Sequence, residues 1–576
     1  MALPKRWVIA PPAPPEHLAR YRGMSPLLAQ VLINRGFTNP KDANAFLYDK
    51  TTTHNPFDLI DMNKAVGRIR QAIKRREPMV VYGDFDADGV TSTTLLVQAL
   101  RSMHANVRPY IPHRIDEGYG LNSEALLKLA KEGIRLVVTV DCGIRSVQEV
   151  EDAKRVGLDI VITDHHSLGP DLPDAYAVVN PKRGKYQEEM LAGVGVAFKL
   201  VQALIMAERK QGPAQNGKSG DPMDVSQLLD LVAIGTVADL MPLNRLENRV
   251  FVRRGLEMLN KAQRPGVRAL LEVSGVQPGS VDTTAIGFAL GPRINAAGRL
   301  DDAILAYNLL AAPNMTEAQK WAEKLQELNT KRQNITRAAQ EAIQEQLELE
   351  EQEDIPLIFA SHASFEPGIV GLVAGRLTEK FFRPAVVMEQ GESESRASCR
   401  SIPQFDITSA LDQCADLLVR HGGHALAAGF TILNENIPDL RKKLLQLAET
   451  SLHGQSLSPT LDVDVEVDVH TLSEEMLEQL TLLEPCGHEN DKPVFMARNV
   501  HVAECRTVGK DSKHLKLKIS RAGRPALDAI GFNLGDWAQS MPERIDIAFQ
   551  LEINEWQGRQ SLQANLQDVR PVESLS

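Results

Sequence analysis

Hydrophobic positions in the first half of the chain gather into short unbroken runs, and four of those runs end in carboxylates or histidines. Met79-Val80-Val81 leads into Tyr82-Gly83-Asp84-Phe85-Asp86-Ala87-Asp88-Gly89, and Leu136-Val137-Val138-Thr139-Val140 ends in Asp141. Ile160-Val161-Ile162-Thr163 ends in Asp164-His165-His166, and the β-type run Leu231 to Ala238 ends in Asp239. Short apolar runs of this kind are the pattern of strands buried on both faces of a parallel sheet. Helical patterns such as Thr91 to Met103 lie between them, so β-α-β units are predicted from about Lys41 to Asn314.

Periodicity then changes along the chain. Residues Thr316 to Glu353 place Trp321, Leu325, Leu328, Ile335, Ala339, Ile343 and Leu347 at helical spacing, predicting one long helix between two domains, with the acidic run Glu348 to Asp354 as its solvated end. A second α/β unit is expected from Pro356 to about Gly454, containing His421-Gly422-Gly423-His424. From Ser458 onward alternation of period two dominates, in Leu461 to Val467, Lys513 to Ile519, Leu527 to Phe532 and Ile545 to Glu555, predicting a small barrel or sandwich. Ahead of all this, the Pro-rich stretch Ala10 to Pro15 and an amphipathic pattern through Leu27, Val31 and Ile33 read as a leader packed on the first domain. Gln211 to Asp221 reads as a surface loop.

The acidic run ends carry the candidate chemistry. Asp84, Asp86 and Asp88 at i, i+2, i+4 would repel one another unless a cation lies between them, and Gly89 would let the chain turn into the following helix. An acidic solvated loop is the plain alternative; a calcium loop of the EF-hand type fits poorly, because the Gly follows the third Asp and no closing Glu is present. Repetition favours metal. Ligands of open parallel sheets sit beyond the carboxyl ends of the strands, so the four clusters can converge in space. Asp and His donors suit Mn²⁺ or Mg²⁺, with imidazole tilting toward Mn²⁺ and Zn²⁺ left open.

Composition narrows the class. A 576-residue chain with 43% hydrophobic and 24% charged residues exceeds one core, so several domains are expected. No apolar run is long enough to span a bilayer, and the five cysteines show no C-x-x-C pairing, which predicts a cytoplasmic, reduced protein in which Cys142 packs instead of ligating. A net charge of −11 excludes coating of nucleic acid through global positive charge, yet a cation at a carboxylate cluster inverts the local field. A local basic stretch, Arg506, Lys510, Lys513, Lys516, Lys518, Arg521 and Arg524, interrupts the acidic chain and is either a backbone track or a solvated face.

The motifs D-F-D-A-D-G, V-D-C-G-I, T-D-H-H and G-T-V-A-D, followed by H-G-G-H-A-L-A-A-G, resemble the DHH phosphoesterase superfamily with its DHH-associated domain. The segment Gly291 to Leu300 and the β-rich tail are similar to the RecJ family of single-strand-specific 5′→3′ exonucleases, acting in recombination and repair. The resemblance implies an α/β fold with a leader at 1–40, a parallel-sheet DHH domain at 41–315, a connecting helix at 316–353, a DHH-associated domain at 354–455 and an OB-like barrel at 456–576.

It further implies two Mn²⁺ or Mg²⁺ ions held by Asp84, Asp86, Asp88, Asp141, His165 and Asp239, with Asp141 bridging and His166 facing the scissile phosphate. Asn295, Arg299, Arg400, Ser401, Gly422, Gly423 and His424 become candidates for substrate binding, beside Arg293, and Phe495, Phe532 and Trp556 candidates for base stacking; the plain alternatives are interdomain salt bridges for the arginines, an ordinary turn for Gly422-Gly423 and core packing for most of the aromatics. Single-stranded DNA is the implied partner of a monomer, with single-strand-binding protein and a RecQ-type helicase as companions and no membrane. Two alternatives stand beside this: a DHH phosphoesterase of oligonucleotides or cyclic dinucleotides, against which the β-rich tail argues, and a non-catalytic replication scaffold, against which the filled ligand positions argue.

Overall fold

The structure is a computed structural model, describing residues 3–49, 51–114, 116–209, 224–349, 355–520, 527–556 and 558–572. Gln211 to Asp221, the end of the acidic run after Leu349, and Arg521 and Arg524 lie outside the described residues.

The predicted apolar runs form an all-parallel five-stranded sheet in the order Val107–Tyr110, Met79–Gly83, Leu136–Val140, Asp159–Thr163, Ala177–Val179. Its two faces have separate cores, Val81, Val138 and Val161 on one and Val80, Val137 and Ile160 on the other, which is why the strands read as unbroken apolar runs. Strand order reverses between Met79–Gly83 and its neighbours Val107–Tyr110 and Leu136–Val140, so a crevice opens beyond the carboxyl ends of the two strands that lead into Asp84 and Asp141.

The β-type reading of Leu231 to Ala238 is overturned: Leu229–Ala238 is a helix with Asp239 at its C-cap. Every residue from Leu229 to Val237 is buried, so the run has no polar stripe from which a helical period can be read. Beyond Val179 this domain is helical, and the expected α/β alternation ends there.

The connecting helix is Met315–Leu349. Beyond it a mixed sheet runs Leu418–His424, Ala427–Leu433, Glu394–Arg400, Ala385–Glu389, Ile358–His362, with one parallel pair. The tail closes into a five-stranded barrel. Phe495–Val508, His514–Ser520, Leu527–Gly531, Arg559–Pro571 and Arg544–Trp556 follow one another, and the last pairs back to the first. Closure leaves the barrel without a free edge.

The leader does not pack on the first domain. Arg6–Ile9 pairs in parallel with Thr460–Val463, and Leu28, Val31, Phe46 and Leu47 share one core with Phe495, Leu517 and Phe549 of the barrel. The amphipathic face was legible in the sequence; its partner, some 450 residues away in the chain, was not. Arg249, in helix Leu246–Lys261, joins the parts: its guanidinium donates to the carbonyls of Phe46, Leu482, Leu483, Glu484 and Pro485. Among the described residues no helix is long and apolar enough to cross a membrane.

Candidate active site

Strand Met79–Gly83 delivers Asp84, and the chain turns at once into helix Ala87–Ser102. Asp86 is that helix's N-cap, accepting from Asp88 N and Gly89 N at 2.9 and 3.1 Å, so the carboxylates do not alternate as on a strand. Gly89 does not make the turn. It lies within the helix, where a Cβ would fall 2.4 Å from Asp84 O, and its absent side chain lets the two segments touch. Ala87 N donates to Asn295 Oδ1 at 2.7 Å, so Asn295 braces the acidic loop.

Asp141 follows Val140 in the left-handed region, φ 62°. Asp88 accepts from Gly193 N at 2.6 Å and Val194 N at 2.9 Å, the start of helix Gly193–Arg209, whose N-terminal dipole favours the carboxylate. His165 Nε2 lies 3.1 Å from Asp141 Oδ1, 3.4 Å from Asp239 Oδ2 and 3.9 Å from Asp88 Oδ2. The structure thus brings together all six expected ligands. Donor atoms of Asp84, Asp86 and Asp141 lie within 4.8 Å of one another, as do those of Asp88, His165 and Asp239, and of Asp141, His165 and His166. Asp141 stands between the first group and His165.

The electrostatics disfavour ionising all of these carboxylates together without a counter-charge. Burial and then the neighbouring carboxylates push Asp84 and Asp141 well above the usual range, Asp88 up to about 7 and Asp239 up to about 8. Burial and the His166 charge drive His165 down to about 3, leaving it neutral and able to ligate. Four buried polar atoms, Asp84 Oδ1, Asp141 Oδ1, His165 Nε2 and Asp239 Oδ2, have no hydrogen-bond partner. Orphaned lone pairs on hard oxygen and imidazole donors, gathered into neighbouring groups that share Asp141 and His165, are what Mn²⁺ or Mg²⁺ would satisfy, so the residues fit these ions. Cys142 packs beneath Tyr82 with a raised thiol, outside these groups, as expected.

Sequence reasoning missed Asp164, Arg114 and Tyr119. Asp164 is fully buried, accepts from His165 N, His166 N and Ile144 N, and bonds His166 Nδ1 at 2.8 Å. Burial opposes its ionisation, but the His166 bond and imidazole charges win and hold it below the usual range. His166 is conversely raised, its burial outweighed by Asp164. The T-D-H-H motif shows Asp164 openly; its role went unread because backbone donors leave no mark on sequence. Tyr119 Oη reaches the His166 ring at 3.3 Å. Arg114 lies 4.2 Å over the Phe85 ring beside Asp84 and Asp86, with a buried, unpartnered Nε.

Of the substrate candidates, Arg299 bridges from helix Gly291–Leu300 to Gly368 O in the second domain at 3.1 Å, close to Arg114, Arg332, Asp86 and Arg400. Burial and these cations lower it to about 10. Arg293 donates to Gln326 Oε1 and Ala289 O. Arg400 Nη1 holds Ser398 Oγ at 3.1 Å, whereas the Ser401 hydroxyl is turned inward onto Phe405 O at 2.6 Å. Gly422, Gly423 and His424 form an exposed edge strand, not a turn, beside an open cavity lined by Arg396, Arg420 and His421. Phe495 is fully buried in the barrel core, which removes it as a stacking platform; Phe532 is exposed against His514, and the Trp556 side chain lies outside the described residues. Arg506 and Lys516 oppose each other on the outer barrel surface, whereas Lys518 is paired with Glu504.

Three family models match in order: the DHH family N-terminal domain at 78–236, the DHHA1 domain at 354–450 and the RecJ OB domain at 463–568. The single-stranded-DNA-specific exonuclease RecJ of Bacillus subtilis is 38% identical, covering 100% of this chain and 72% of its own. The chain belongs to the RecJ family. RecJ of Escherichia coli is 34% identical over 95% of this chain and 96% of its own. The crystal structure of RecJ with Mn²⁺ from Thermus thermophilus superposes with a TM-score of 0.84 at 28% identity, covering 99% of this chain and 80% of that one. A RecJ structure with Mg²⁺ from the same organism superposes at 0.78.

Proposed function

We propose that this RecJ-family chain is a metal-dependent exonuclease that degrades single-stranded DNA from the 5′ end to mononucleotides, in recombination and repair. The observation that carries it is the convergence of four orphaned carboxylate and imidazole atoms at the sheet's switch point, in a chain that also carries the OB barrel. Asp84, Asp86, Asp88, Asp141, His165 and Asp239 would hold two ions, with Asp141 shared. Mn²⁺ or Mg²⁺ bound there would supply Lewis-acid polarisation of the phosphodiester and activation of water for in-line attack.

The chain's own residues do the remainder. Asp164 fixes the His166 ring through Nδ1 and favours its protonated form, so His166 offers a hydrogen-bond donor to a phosphate oxygen beside the carboxylates. Arg114 and Arg299 sit beside the acidic cluster with Arg400 next to Arg299, all without carboxylate partners among the described residues, and would clamp the neighbouring phosphates. Exposed Tyr119 offers a ring to the terminal base. Gly422, Gly423 and His424 would meet the strand through the edge of the second sheet, and the outer barrel surface at Arg506, Lys516 and Phe532 would grip its continuation.

We take the units as bounded near residues 316, 354 and 456, with the first unit opening after helix Pro40–Tyr48 and not at 41, since Phe46 and Leu47 lie in the barrel core; we take the protein as a cytoplasmic monomer, and single-strand-binding protein and a RecQ-type helicase as its companions. The test is digestion of single strands labelled at the 5′ or 3′ end, with Mn²⁺, Mg²⁺ or EDTA, beside a blunt duplex. Metal-dependent release of the 5′ label as mononucleotide from single strands alone supports the reading; turnover of dinucleotides without cleavage of long strands refutes it.

A further inference from the structure

Beyond Arg299, the connecting helix and the second domain line a half-open cavity of about 240 Å³. Ile335, Ala339 and Ala342 line one wall at helical spacing, Ile369 and Val373 the opposite wall, and the half-buried Phe365 ring stands beside them. An apolar cavity of about 150 Å³ already holds a benzene ring, so this one has room for a nucleobase. Glu366 also lines it and offers an acceptor to an exocyclic amino group.

Two arginines flank the cavity walls along the chain without lining the cavity themselves. Arg332 lies one turn before Ile335 and Arg376 one turn after Val373, each the helical neighbour of a wall residue. Arg332 Nε is buried without a hydrogen-bond partner, and neither guanidinium has an acidic partner among the described residues. Burial first, then the nearby Arg376 and Arg293 charges, hold Arg332 below the ordinary guanidinium range. Two like charges converging beside an apolar slot, in a chain of net charge −11, call for an anion with a flat apolar body.

We propose that Arg332, Arg376 and the slot walled by Ile335, Val373 and Phe365 form a second nucleotide subsite, taking a phosphate on the guanidiniums and a base in the slot. It rests on the nuclease reading above. The nucleotide would come from the strand being digested or from released 5′-mononucleotide, which share this chemistry.

The experiment compares the full chain with Arg332→Gln/Arg376→Gln and Phe365→Leu, using Lys331→Gln, an exposed neighbour on the same helix, as the charge-loss control. Strand binding is measured by anisotropy in EDTA across a salt series, and inhibition of Mn²⁺-dependent digestion by dAMP is measured separately. Occupancy by the strand predicts a weaker salt dependence, by about 0.7 in log–log slope for each phosphate lost, with five- to tenfold weaker binding in the double variant and a smaller change in the control. Occupancy by product predicts unchanged strand binding and a several-fold loss of dAMP inhibition. If both readouts match the parent, or the control changes as much as the double variant, the subsite is wrong. Failure of the parent itself to bind or digest single strands would instead overturn the nuclease reading.

Discussion

Gly193→Ala tests whether the acidic centre tolerates any displacement of its central carboxylate. A Cβ at Gly193 would lie 2.6 Å from Asp141 Cβ and 2.7 Å from Asp141 Oδ1. Ordinary carbon contacts are about 3.5–4.0 Å, so roughly 1 Å of separation must be found. The helix start cannot retreat freely, because Gly193 N holds Asp88 at 2.6 Å. Asp141 cannot retreat freely either, since it sits at φ 62° in a fully packed site. Overpacking costs about 1–3 kcal/mol and the entropy gained on replacing Gly returns about 0.5–1, so net stability falls by about 2.5 kcal/mol or less. Misplacement of a reacting group by about 1 Å costs on the order of 100-fold in rate. Mn²⁺-dependent release of acid-soluble nucleotide from single strands should therefore fall about 100-fold in a protein whose urea midpoint moves little. Gly67→Ala, in an exposed helical position with nothing within 4 Å, is the control and should keep full turnover with up to about 1 kcal/mol more stability. Turnover of Gly193→Ala within threefold of the parent, at unchanged Mn²⁺ affinity, would refute the packing argument.

Asp141→Asn should abolish turnover yet raise the melting temperature of the chelated protein, because it removes one of several buried, mutually repelling carboxylates; a drop in melting temperature would show that the repulsion is already relieved. The chelated protein should also lose stability as pH rises from about 6.5 to 8. There, folded Asp88 and Asp239, raised to about 7 and 8, release protons that the unfolded chain gave up near pH 4, and raised His166 acts in the same direction. His165, lowered to about 3, opposes this only below its unfolded value of about 6.5, and added Mn²⁺ should abolish the decline; thermal melts that rise over this window in chelator would contradict the sign. Arg249→Met removes the guanidinium donor from the carbonyls of Phe46 and Leu482, while Leu483 and Pro485 keep Asn490 Nδ2 and Glu484 keeps Arg253; it should cost on the order of 3 kcal/mol, read as an earlier urea transition, whereas an unchanged midpoint would show that water replaces the guanidinium.

Most of the acidic centre was legible because its carboxylates stand at the ends of strands whose apolar runs declare themselves. Asp84, Asp141 and His165 each follow such a run, and the parallel sheet then places them together. Asp239 was found for the wrong reason: a helix buried on all sides carries no period, so Leu229–Ala238 read as a strand although its terminal carboxylate still reached the site. The basic sheath was less legible. Arg114 and Arg299 are separated by most of a domain, and only packing against Phe85 and Gly368 brings both to the acidic cluster. The same limit governs the leader and the barrel.

Sequence alone determined what is local: the buried strands, the long helix, the alternating tail and the order of the acidic motifs, each set by the period of apolar positions. Tertiary structure decided what is paired: the barrel as partner of Leu28 and Phe46, the carbonyl cage around Arg249, the bond from Asp164 to His166 and the glycine contacts at Asp84 and Asp141. These depend on which surfaces meet across long stretches of chain and on backbone donors common to every residue, so no pattern in one segment records them.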